Sequence, residues 1–363
     1  MPTRAARRSP SIRYGLRRKV YGLVGVLLLA PPLHAQWIPQ QSNTTASLRG
    51  LSVVSARVAW ASGSGGTVIH TVDGGATWIA DTVPGASKFD LRAIAAFDAN
   101  TAIVAATAGR VWRTENGGKR WTLVYENADS AVFLDAIGFW DAERASARRG
   151  LVLGDPINGR FFILSSDDGG RSWREAPSES RPAARQGEGA FAASGSSLVM
   201  RGAAHAWIGT GVNVARVLRT IDAGKTWTAA AAPLADATQS SGVFALSFAD
   251  AARGVAVGGA YDQPIQRERS AAVTTDGGFT WTAATAMPNG FRSGVAIVPL
   301  TNGAMVVAVG TNGTDVSYDG GRSWTLADTV GYHAVRFAAD GSGWASGGRG
   351  RVARFARDSI KRP

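Results

Sequence analysis

From about residue 36 onward, short apolar runs alternate with turns made of Gly, Asp, Asn, Ser and Thr. Residues 91–97, 101–107, 110–114 and 121–125 form one such set. Short runs bounded by turn formers are strand signals, whereas a surface helix would repeat its apolar positions every three to four residues. Four strands in succession, joined by tight turns, predict an antiparallel meander. Residues 48–80 give the same order.

The meander repeats, and each copy carries the same octet, Ser/Thr-x-Asp-x-Gly-x-Thr/Ser-Trp. It stands at 71–78, 114–121, 166–173, 220–227, 274–281 and 317–324. Its third position holds Asp73, Asn116, Asp168, Asp222, Asp276 and Asp319. Short polar side chains at the first and third places can bond the turn's own backbone, and Gly at the fifth accepts positive φ. The closing Trp brings a large apolar face to the next strand. The octets are therefore read as structural, self-capped turns. Departures are mild: Asn116 keeps the turn geometry, Ala223 replaces a dispensable Gly, and Arg120 loses one hydroxyl. Successive octets start 43, 52, 54, 54 and 43 residues apart, and a four-stranded propeller blade needs about 40–45.

After the sixth octet come three more strand-like runs, at 332–337, 344–347 and 351–355, without a fourth. Residues 36–40, with Trp37, form an orphan strand ahead of the first unit. Pairing the two completes a seventh blade and closes the ring. The fold class expected is all-β, a seven-bladed β-propeller of four-stranded antiparallel blades over residues 36–363. Closure removes the exposed edges that invite association, so a monomer is expected.

Composition sharpens this picture. Gly is frequent at 45 residues, Trp at 12, and charged residues are only 18% of the 363. There are no cysteines, so no disulfide or thiol chemistry is available. The formal charge of +12 is concentrated at one end, where Arg4, Arg7, Arg8, Arg13, Arg17, Arg18 and Lys19 stand in a stretch without Asp or Glu. The remaining arginines are scattered, which is more often a solvated surface than a polyanion groove, so nucleic acid is not expected as a partner. The basic run leads into an apolar stretch at 20–30 and then Pro31-Pro32-Leu33-His34-Ala35. That is the layout of a secretory signal peptide over 1–35, cut after Ala35. Export to the periplasm or the medium is expected. An uncleaved anchor, and the twin-arginine route suggested by Arg17-Arg18, stay open. No second hydrophobic span follows.

On these octets, the unit count and the length, the chain resembles the photosystem II stability and assembly factor family. The resemblance covers roughly residues 36–363 and implies a seven-bladed propeller with Asp-box (BNR) turns. It also implies a non-enzymatic role in binding protein or membrane-protein assembly intermediates. Sialidases and xyloglucanases carry the octet too, but the Phe/Tyr-Arg-Ile-Pro segment of sialidases is missing; Ser47-Leu48-Arg49-Gly50 comes nearest.

In a propeller the octet turns lie on one face, and binding surfaces usually form on the other. Aligning the starts of the innermost strands places Arg49, Arg92, Asp135, Glu188, Phe244, Arg292 and His333 at one equivalent position around the channel mouth. Longer third to fifth units add segments to this face: 154–160 with Asp155 and Arg160, 177–187, and 259–270 with Tyr261 and Asp262. Insertions gathered on one face commonly build a binding surface. These residues are the expected partner-binding set. The alternative is a glycoside hydrolase or carbohydrate-binding propeller, with Asp135, Asp155, Glu188 and Asp262 as candidate carboxylates. Tyr261 or Tyr332 would be its nucleophile, and the arginines would hold a substrate acid. No metal or cofactor is expected: His70, His205 and His333 share no ligand spacing, and no phosphate loop or dinucleotide fingerprint occurs.

Overall fold

Seven four-stranded antiparallel sheets build the protein, each a simple meander. The computed structural model describes residues 1, 3, 37–140 and 149–356. The leader read over 1–35 lies outside the described residues, apart from its positions 1 and 3. From the channel outward, the first blade runs Leu48–Val53, Ala59–Gly63, Thr67–Thr71 and Ile79–Thr82. The next five repeat that order. In the seventh, Ala334–Phe337, Gly343–Ser346 and Val352–Phe355 are completed on the outside by Trp37–Gln40. Trp37 pairs with Phe355 and Gln40 with Val352, so the expected closure is present.

The core lies in the seams between blades rather than within any one of them. Between the second and third blades, Ile103, Val111, Ile137, Phe139, Val152, Phe162 and Leu164 form one buried cluster. Comparable clusters fill the other seams, including the closing one, where Leu48, Ile69 and Trp78 meet Ala334, Trp344 and Val352. Octet tryptophans pack back onto the preceding blade, as Trp324 does against Val255 and Val273.

Inside each octet the expected bonds are made. Thr71 Oγ1 donates to Asp73 Oδ1 (2.8 Å) and accepts from the Gly75 N–H (2.8 Å), while Asp73 accepts from the Thr77 N–H (3.0 Å). The pattern recurs at Asp168, Asp222, Asp276 and Asp319. Asn116 keeps it through Oδ1, which accepts from the Arg120 N–H at 2.9 Å.

Two features of the opposite face depart from the sequence expectation. Residues 154–160 are not a loop. The strands Gly150–Ile157 and Arg160–Ser166 extend through them, and only Asn158 and Gly159, both at positive φ, form the turn. The segment 177–187 is ordered by a short 3-10 turn at Ser178–Ser180 and a bridge between Arg160 and Ala183.

Candidate functional site

Four of the aligned positions share a backbone device. The innermost strands of blades one, two, three and five break register at Arg49, Arg92, Asp135 and Phe244, each the extra residue of a β-bulge. A bulge bends its strand and re-aims the side chain it carries. Gly63 and Gly258 stand across two of these bulges, where a Cβ would lie 2.2 Å from the Ser47 carbonyl oxygen and 1.9 Å from that of Gly242. Their missing side chains let the bulged backbone come in.

These bulges open onto a bowl of about 590 Å³ on the face away from the octets. Arg49, Arg92, Asp155 and His333 line one side of it, and Phe133, Phe191, Phe244, Tyr261 and Phe291 line the rest. The charged side is held by few contacts. Arg92 Nη2 donates to Asp90 at 3.1 Å, while its Nε is buried with no acceptor among the described residues. Burial, and then the neighbouring Arg92 charge, lower the pKa of Arg49. His333 is pushed down to about 4 by burial and then by Arg49, Arg351 and Arg92, so its ring is neutral at neutral pH. Its Nε2 lies 3.3 Å from Ser47 Oγ and its Nδ1 has no partner.

The acidic candidates have separate fates. Asp135 is fully buried, and neither of its oxygens meets a donor among the described residues. Burial and then the nearby Asp155 raise its pKa well above the ordinary carboxylate range, against an opposing pull from Arg92. Asp155 faces the bowl and is raised by burial, while its Oδ1 accepts from the Ala190 N–H at 2.9 Å. Asp262 accepts from Ser240 Oγ at 2.5 Å, and Tyr261 beside it is 55% exposed.

Four expected residues are elsewhere. Glu188 is not at the start of an innermost strand. It precedes the strand Leu198–Arg201, and by register the equivalent place belongs to Ser196. Glu188 is instead buried against Arg216, accepting from its Nε at 2.9 Å, from Thr210 Oγ1 at 2.6 Å and from the Arg185 N–H at 2.7 Å. Arg292 is turned inward and fully buried. It donates to Asp315 at 2.6 Å, to Asn312 at 2.6 Å and to its neighbour's carbonyl at 2.8 Å. Arg160 is spent on the Arg181 carbonyl at 2.7 Å. Tyr332 is likewise inside a seam against Trp37, its phenol pushed up to about 12 by burial.

The sequence reading missed the aromatic side of the bowl. Phe191 lies flat on Phe244, ring centroids 3.7 Å apart, and Phe291 meets Phe244 edge-on at 4.6 Å. The signal was present: Phe291 immediately precedes an aligned position, Phe133 stands two before another, and Phe244 is the one aromatic in a ring read for charge. Among the described residues no group of three His, Asp or Glu is placed to hold a metal, and no helix is long and apolar enough to cross a membrane.

No family model matches the sequence, and no curated protein is similar to it. Solved structures are similar in fold. YCF48 bound to D1 peptide matches with a TM-score of 0.59 at 17% identity, covering 89% of this chain and 97% of that one. U3-55K matches at 0.63 and 10% identity, covering 89% and 98%. The GH74 xyloglucanase from Xanthomonas campestris matches at 0.58 and 14%, with 89% of this chain spanning 54% of that enzyme. At these identities the likeness is one of fold.

Proposed function

We propose that this chain is an exported, non-enzymatic binding propeller that engages an acidic segment of a partner protein in the bowl. The observation that carries the reading is the pair Arg49 and Arg92. They stand side by side on two bulges, and a buried Arg92 N–H has no acceptor among the described residues. Guanidinium donors of this kind form strong charge-assisted bonds to carboxylates. Of the carboxylates weighed for hydrolysis, Glu188, Asp262 and one oxygen of Asp155 are engaged in holding loops. YCF48, a photosystem II assembly factor, shares the seven-bladed fold and has been captured with a D1 peptide. That supports the assembly-factor reading drawn from the octets. The leader-like segment 1–35 supports export to the periplasm or the medium under this reading, where the protein acts as a monomer without metal or cofactor.

The test is cross-linking capture from the native host with wild type and an Arg49→Ala, Arg92→Ala double variant. Arg292 is left alone because its loss would strip Asp315 of a buried partner. A defined envelope protein captured by wild type and lost by the folded variant is the expected result. Equal capture by both would sink the reading. A second reading rests on Asp155, which lines the bowl, and Asp135, buried near it, two carboxylates with raised pKa values. Perturbed pairs of this kind mark hydrolytic sites. Turnover of an acidic glycoside, abolished by Asp155→Asn, would put a glycosidase in place of the binding module.

A further inference from the structure

We propose that the aromatic side of the bowl is an anchor pocket for one aromatic or large aliphatic side chain, carried beside a carboxylate in an extended partner segment. This rests on the binding reading above and adds what the partner must look like.

The wall is purpose-built. Phe191 belongs to no strand, yet its segment is fastened at every turn. Asp155 accepts from the N–H of Ala190, Glu188 ties the chain to Thr210 and Arg216, and Gly189 bridges Gly211, which in turn bridges Gly242. The two glycines beneath are required by the ring above them. A Cβ on Gly211 would stand 2.1 Å from Phe191 Cε2, and one on Gly242, at φ +152°, would stand 2.3 Å from the Gly211 Cα. Two carboxylates and three glycines thus hold a single phenyl flat over Phe244 at the rim of a polar cavity. Tyr261 meets the same Phe244 edge-on at 6.2 Å and is half exposed, and Ala190, Ala192 and Ala193 leave the space between open.

Across this cavity stand Arg49 and Arg92, beside the neutral His333 of the seventh blade. The bowl therefore offers cationic donors on one wall and ring faces on the other. A polyanion would satisfy the arginines and leave the aromatic wall wet. A purely apolar segment would cover two guanidinium groups without a counter-charge, which is costly. A carboxylate with a bulky apolar group a few bonds away satisfies both walls. An aromatic or Leu-sized anchor in such a pocket is the usual source of specificity in peptide recognition.

The probe is 3-phenylpropanoate, titrated by calorimetry into the full chain, beside propanoate and 3-phenylpropanamide. Saturable binding of 3-phenylpropanoate is expected, at least about tenfold tighter than either comparison compound, because each lacks what one wall recognises. Phe191→Ala and Tyr261→Ala should each lose about that factor. Tyr261 is a surface residue, so its variant tests the wall without disturbing the fold. If 3-phenylpropanoate binds no better than propanoate, or both variants bind it as wild type does, the anchor pocket is wrong. An anchor failure with arginine-dependent capture intact would overturn this inference alone. Normal 3-phenylpropanoate binding with arginine-independent capture would overturn the partner reading alone.

Discussion

Asp135 carries a fully buried carboxyl group that meets no donor among the described residues. Burial and Asp155 drive its pKa up, so at low pH it holds a proton the unfolded chain would release near about 4. A folded state that binds the proton more tightly is most stable below that pH. It loses this contribution as pH rises through the folded-state value. Asp135→Asn removes the titration. The melting temperature of the variant should therefore gain on wild type between pH 4 and pH 8, with the gap widest at the alkaline end. A gap that stays constant across that range would show that Asp135 is solvated or paired after all. His333 works in the opposite sense. Its pKa of about 4 lies below the unfolded value, so its contribution is present at neutral pH and lost as pH falls toward 4. Comparing Asp135→Asn with wild type at each pH leaves that effect common to both.

At the scale of the element, the octet is a turn capped by its own side chains. Thr274 is buried, and its hydroxyl accepts from the Gly278 N–H at 2.9 Å while donating to Asp276 at 2.8 Å. Thr274→Val keeps the shape and strands those groups, so a loss of about 1–3 kcal/mol in urea unfolding is expected. A midpoint unchanged from wild type would mean the turn is held by its backbone alone. The octet carboxylates also sit low, at about 2 for Asp168, Asp222 and Asp276. Their depressed values add stability above the unfolded carboxylate range that fades as pH falls toward 2. These turns were legible in the sequence because each one is local: donor, acceptor and glycine lie within eight residues. The blades were legible for the same reason. The bowl was only half legible. Arg49, Arg92, Asp135 and Phe244 were found because a bulge recurs at the same place in their four blades. Glu188 was misplaced because the segment ahead of its blade carries no repeat to align. Arg292 was aligned one residue early: by register the ring position of its blade belongs to Ser293, and Arg292 corresponds to the buried Leu48.

For the whole molecule, stability rests on seven seams and one seal. Trp37 is 2% exposed, donates to Thr314 Oγ1 at 3.0 Å and packs on Tyr332 and Phe355 at 5.5 and 5.4 Å. It therefore joins the outermost strand of the seventh blade to the sixth. Trp37→Ala should cost about 3–5 kcal/mol, as other buried aromatic truncations do, and calorimetry would read it as a lowered but still single transition. Two separate transitions would show that the blades unfold independently and that the seal does not couple them.

The same seal sets an order in time. Residue 37 leaves the ribosome more than 300 residues ahead of its partner, residue 355, so the strand that closes the ring must wait for all seven blades to be synthesised. Pairings between such distant segments are slow to form. Until then the growing chain has an open seam, with Trp37 on one side and the apolar wall of the first blade on the other. Unsealed surfaces of this kind are where aggregation begins. The period most dangerous to this protein is therefore the interval before its final strand arrives, when six blades are complete and the seventh does not yet exist.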